Sequence, residues 1–146
     1  MGINMGIRKA ELRDATRLAE LSKVLGYPVE AEQLADRLET ILRKKEHAVF
    51  VAITPTDSVV GWIHATEQLV LESGPSCEIL GLIVDANQRG HGIGRQLVQQ
   101  VEEWAIDRGL RQITVRSNII RVESHPFYER LGFARVKTQH AYRKEL

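Results

Sequence analysis

Residues Gln88 to Gly109, QRGHGIGRQLVQQVEEWAIDRG, set three glycines on alternate positions directly in front of a helical pattern. Glycine inside an element costs about 1 kcal/mol against alanine, so Gly90, Gly92 and Gly94 imply that the backbone itself has a task. Behind them Leu97, Val98, Val101, Trp104 and Ala105 recur at helical spacing, Gln and Glu fill the other face, and Gly109 stands as the stop. In front of them CEILGLIVD is apolar and β-branched, a buried strand ending at Asp85. A strand, a bare turn and a helix in that order present free N–H groups and the positive end of a helix dipole to an anion, most often a phosphate.

The remaining segments surround this unit with further strands and helices. INMGIRKA reads as a first strand and RDATRLAELSKVLG as a helix with Asp14 as N-cap, Leu18, Leu21 and Leu25 on one face, and Gly26 at its end. VEAEQLADRLETILRKK is a second helix, with Leu34, Leu38, Ile41 and Leu42 inward and basic residues in its last turn. HAVFVAIT and SVVGWIHATEQLVL are strands joined through Pro55-Thr56-Asp57, and Gly74-Pro75 breaks the chain before the next strand. LRQITVRSN is a strand, PFYERL a short helix with Pro126 in its first turn and Gly132 as stop, and FARVKTQHAYRKEL one or two closing strands. The order is βααβββαβαββ. Three successive strands pair antiparallel, whereas a strand–helix–strand unit needs a parallel pair with a right-handed crossover. The expected fold is therefore α/β, a mixed and mostly antiparallel twisted sheet with one central parallel pair and helices on both faces.

Length and composition exclude several classes. A chain of 146 residues without a linker, repeat or low-complexity tract reads as a single domain, residues 1–146. A formal net charge of +1 offers no general field for nucleic acid or a membrane surface, so an anion must be held locally. Cys77, the single cysteine, excludes an internal disulfide and a Cys-rich metal site, and no metal is expected. No apolar run reaches the roughly 18 residues of a membrane helix, and MGINMGIRKAE lacks a signal-peptide core, so the expected location is cytoplasmic.

Three phosphate motifs compete for the glycine turn. A Walker loop needs Lys-Ser or Lys-Thr after its glycines, and none follows. A dinucleotide fingerprint needs G-x-G-x-x-G and an acidic residue after the next strand, yet the spacing is G-x-G-x-G and that strand ends Arg116-Ser117-Asn118. Arg89-Gly90-His91-Gly92-Ile93-Gly94 matches [Q/R]-x-x-G-x-[G/A], and NIIRVESHPFYERLGF, Asn118 to Phe133, adds a second signature downstream. On these two motifs and the element order, the sequence resembles the GNAT superfamily of N-acetyltransferases from Ile3 onward.

That resemblance implies acetyl-coenzyme A as cosubstrate and acetyl transfer to an amine. N–H groups from Arg89 to Arg95 (Arg89, Gly90, His91, Gly92, Ile93, Gly94 and Arg95) would wrap the coenzyme pyrophosphate, with the two arginines adding charge-assisted bonds. Gly81 suggests a bulge; in the family a bulge there splays two parallel strands, so that backbone groups of Leu82, Ile83 and Val84 pair with the pantetheine arm and Asn118 bonds it from the opposite side.

Acetyl transfer asks for a base, because an amine arrives as an ammonium, and for an acid, because a thiolate leaves. Tyr128, in FYERLGF, takes the family position of the acid, where the resemblance implies that it faces the coenzyme sulfur; as a plain core aromatic it would pack beside Phe127, Leu131 and Phe133. Glu78 is the candidate base, a carboxylate in an otherwise apolar strand, with His64 as the alternative and His125 read as a helix-start residue. No covalent acyl-enzyme signature is present, so transfer is direct. The resemblance implies a small-molecule or peptide amine as acceptor, and in the segments where the family forms its acceptor walls Glu30, Glu32, Glu67 and Glu72 give an acidic lean that favours a cation. Two readings outside this scheme stay open: a catalytically silent coenzyme-binding sensor or interaction module, and assembly as a homodimer.

Overall fold

Alternation of apolar side chains along the strands builds a sheet with two covered faces. In the computed structural model, which describes residues 5–24, 26–116 and 124–146, contacts divide the chain into two units, Met1–Val115 and Arg116–Leu146. The first unit runs β1 (Gly6–Lys9), α1 (Ala15–Val24), α2 (Ala31–Leu42), β2 (His47–Ile53), β3 (Val59–Val70), β4 (Gly74–Val84), α3 (Ile93–Asp107) and β5 (Ile113–Val115). The strands lie in the order β1-β2-β3-β4-β5. Every pairing is antiparallel except β4 with β5, which is parallel across the α3 crossover, as strand–helix–strand connectivity requires.

On one face Leu18 and Leu21 of α1 and Leu38 of α2 bury against Val49, Val51, Val59 and Ile83. The intervening residues of β2 and β3 (Phe50, Ala52, Gly61 and Ile63) belong to the other face, where α3 packs. Leu97, Val98 and Val101 of α3 are completely buried there, each burial stabilising by about 1.5–3 kcal/mol. Gly61 is the point of closest approach: a Cβ would meet the Ile83 carbonyl oxygen at 3.1 Å and the Ile93 and Leu97 side chains at 3.4 Å. The mixed sheet, the parallel pair and the helical face of α3 all follow the sequence reading.

Several local expectations are corrected. Asp14 does not cap α1; it closes a 3-10 turn, Leu12–Asp14, ahead of the helix. Its carboxylate accepts from Arg8 on β1 at 2.8 and 2.9 Å and from the Glu11 N–H at 2.8 Å, so a charged partner and the N-cap amide of the 3-10 turn take the place of the α1 amides. Leu42 is exposed, and the basic residues after it follow α2 rather than filling its last turn. Gly74-Pro75 does not precede the strand but opens it, Gly74 opposite Val70 and Pro75 opposite Leu69, so β3 and β4 form a long hairpin. The strand expected from LRQITVRSN is three residues long, Ile113–Val115.

In the second unit α4 (Ser124–Arg130) carries Pro126 in its first turn, and Gly132 follows at φ 94°. The closing strands expected over FARVKTQHAYRKEL are not formed. A strand exists only through a ladder partner, and among the described residues this unit contains no other strand. Leu25 and Asn118, both used in the sequence reading, lie outside the described residues.

Candidate active site

β4 ends at Val84, and the chain then passes through a 3-10 turn, Ala86–Gln88, into the glycine turn. Gly90 and Gly92 take φ 88° and 74°, the left-handed region that other residues enter only at a cost. Gly94, by contrast, lies inside the first turn of α3 with ordinary helical backbone. Gly92 is the N-cap of α3 and brings no side chain to the helix end. Among the described residues, no backbone carbonyl accepts from the N–H of Gly90, His91 or Gly92. Arg89, His91 and Arg95 are exposed around these donors, whereas the Ile93 side chain, 2% exposed, anchors the helix in the core and leaves only its backbone to the turn.

The edge of β4 supplies the second half of the site. β5 pairs with β4 only from Cys77 to Ile79. From Leu80 to Val84 the side of β4 away from β3 has no strand partner among the described residues. The bulge signalled by Gly81 is present: His64 opposes Gly81, Ala65 opposes Ile79, and Leu80 is the extra residue. Trp62 explains why the position is glycine, since a Cβ there would come within 2.9 Å of its ring. Leu82, Ile83 and Val84 therefore line an open backbone edge that runs toward the glycine turn.

Glu78 lies on β4, half-buried, opposite Thr66 on β3 and Thr114 on β5. On the same face His64 is held to His47, Nδ1 of His47 lying 2.9 Å from Nε2 of His64, with the rings stacked at 5.2 Å. Burial, and then the neighbouring His47, push the His64 pKa down to about 4, so its imidazole is neutral near pH 7. Glu67 is engaged by Arg108 at 2.6 Å, which removes it from the acidic lean expected of the acceptor walls. Cys77 is fully buried; burial, with the Glu67 and Glu78 carboxylates, pushes its thiol up to about 11.

Within the second unit Tyr128 is half-buried between Phe127 and Phe133, whose rings meet it edge-on at 5.1 and 5.7 Å. Burial raises its phenol above the usual range and keeps the proton on oxygen. His125 falls in the first turn of α4, as a helix-start residue should. Sequence reasoning missed Gln88, whose Oε1 is buried without a hydrogen-bond partner beside the turn. Its place directly before the glycines was the available signal. Among the described residues, no group of three or more His, Cys, Asp or Glu side chains could hold a metal ion, and no helix is long and apolar enough to cross a membrane.

A mixed sheet with one parallel pair, an open strand edge and a glycine turn at a helix N-terminus define the class of proteins built to bind a phosphate-bearing cosubstrate along a strand edge. Comparison with known proteins agrees: the model of the acetyltransferase (GNAT) family matches residues 11–133. The chain belongs to the acetyltransferase (GNAT) family and is an acyltransferase, which sets aside the silent binding module. It is 30% identical over 131 residues to an aminoglycoside N(6')-acetyltransferase type 1 of Stenotrophomonas maltophilia, covering 87% of this chain and 84% of that protein. An IAA acetyltransferase of Azospirillum brasilense is 28% identical, covering 87% and 82% of the two chains. The structure of an aminoglycoside N-acetyltransferase in complex with coenzyme A superposes with a TM-score of 0.89 at 23% identity, over 100% of this chain and 98% of that one. That likeness establishes the shared fold.

Proposed function

We propose that this protein transfers an acetyl group from acetyl-coenzyme A directly to a primary amine of a small molecule. The observation that carries the reading is the glycine turn, whose N–H groups at Gly90, His91 and Gly92 have no carbonyl acceptor among the described residues, standing at the N-terminus of α3 beside the open edge of β4. Those donors suit the pyrophosphate, with Arg89 and Arg95 adding charge. The backbone of Leu82, Ile83 and Val84 suits the pantetheine amides, and an N–H near Leu82 would polarise the thioester carbonyl. The family resemblance also assigns Asn118 to the arm, and that residue lies outside the described ones.

Glu78 is assigned as base rather than His64. His64 is tied into the stacked pair with His47, whose Nδ1 lies 2.9 Å from its Nε2, so the ring nitrogen that a base would use is already engaged. Tyr128 is assigned as the acid that protonates the leaving thiolate, and its raised phenol keeps that proton available. Relatives named for aminoglycoside and for IAA acetylation differ in acceptor, so the acceptor here is read only as an amine, with aminoglycosides as the first class to test. Glu30, Glu32 and Glu72 keep the lean toward a cationic one.

Thermal melts with acetyl-coenzyme A test the reading. Ligand at 100 times its dissociation constant should stabilise by about 2.7 kcal/mol. Gly92→Val should abolish that shift while the free protein stays folded, because a Cβ there meets nothing within 4 Å and only the backbone is strained, by about 1–2 kcal/mol. An unchanged melting temperature at millimolar acetyl-coenzyme A would refute the proposal. Release of free thiol across an amine panel then names the acceptor.

A further inference from the structure

Asp85 is the residue at which the sheet stops and the turn begins. Its N–H donates to the Val60 carbonyl at 2.8 Å, and its own carbonyl accepts from the Gln88 N–H at 2.9 Å. Its Oδ1 accepts from the Asn87 N–H at 3.0 Å and so caps the 3-10 turn that leads into the glycines. Its Oδ2 accepts from Nη2 of Arg17 at 3.0 Å. Arg17, in the first turn of α1, also donates from Nε to the Val59 carbonyl at 3.0 Å and from Nη1 to Glu20 at 3.3 Å. One arginine thus joins α1, the start of β3 and the end of β4 at the entrance to the turn.

Nothing in the glycine motif points to Arg17; it lies in a different helix, far away in sequence. Its role follows from charge. The turn needs an acceptor at Asp85, but a carboxylate ahead of a loop that receives a diphosphate repels it. We propose that Arg17 is a positioning residue of the coenzyme loop: it holds the Asp85 carboxylate in its capping orientation and cancels its charge in front of the diphosphate. The inference rests on the reading of the glycine turn as the coenzyme site. Arg17 and Asp85 side chains are 39% and 21% exposed, so solvent moderates the effect without abolishing it.

Calorimetric titration with coenzyme A on four proteins tests this: wild type, Arg17→Ala, Asp85→Asn and the double variant. Arg17→Ala should weaken binding roughly tenfold, and the loss should shrink as salt rises from about 0.05 to about 0.5 M. The double variant should regain most of that affinity, because Asn keeps the capping acceptor and carries no charge. In steady-state kinetics the loss should fall on the KM for acetyl-coenzyme A and leave the KM for the amine unchanged. Coenzyme A bound by Arg17→Ala as tightly as by wild type, or as weakly by the double variant as by Arg17→Ala, overturns the inference while the coenzyme reading stands. A wild-type chain that does not bind coenzyme A overturns both, so the two failures are distinct.

Discussion

Two physical roles meet at Tyr128, packing and the proposed one of acid, and the hydroxyl separates them. Its ring is wedged edge-on between Phe127 and Phe133, packing that Phe would reproduce. Only the hydroxyl can protonate a departing thiolate. Tyr128→Phe should therefore leave the melting temperature and the KM for acetyl-coenzyme A close to wild type and lower kcat. General acid catalysis contributes about 10²–10⁴-fold, and water partly substitutes for a lost donor, so the expected drop is about 10²–10³-fold. A rate within about threefold of wild type at equal stability would assign Tyr128 to packing alone.

At the scale of the element, the β3–β4 pair is shaped by a single small residue. Gly81 faces the Trp62 ring across the hairpin, and the bulge at Leu80 lies directly beside it. A methyl group there must displace an indole ring that also packs against the α1–α2 core. Gly81→Ala should cost about 1–3 kcal/mol by overpacking, read as a lower midpoint in urea with an unchanged slope. A loss under about 0.5 kcal/mol would mean that the ring moves freely and that the bulge is set by something else. The same bulge separates the paired half of β4, Cys77–Ile79, from the open half, Leu80–Val84, so the variant also probes the edge assigned to the pantetheine arm.

For the whole molecule, pH acts through the histidine pair. His64 has a folded pKa near 4, below its unfolded value of 6.5, through burial and then through His47, the titratable group facing it. Between those two values the unfolded chain binds more protons than the native one, so stability falls as pH drops from 6.5 toward 4 and then levels. Wild type should lose more stability than His64→Gln between pH 7 and pH 5 in paired urea titrations. Equal losses would show that His64 is protonated in the folded state as readily as in the unfolded one. The pair illustrates what could not be read in advance, because His47 and His64 are 17 residues apart and meet only when β2 and β3 lie in one register. The same holds for Trp62 over Gly81 and for Arg17 on Asp85. Each contact depends on which strands and helices become neighbours, and no local property of the chain encodes that. The missing closing strands have this cause too, since alternation marks residues able to form a strand but cannot supply the partner. What the sequence determined by itself was local: the glycine turn, the buried stripe of α3, the glycine at the bulge and the order of the elements through α4. Periodicity, backbone conformational preference and helix-end chemistry act between residues a few positions apart, so they are legible without the fold, whereas register and electrostatic partnership arise only from the tertiary structure.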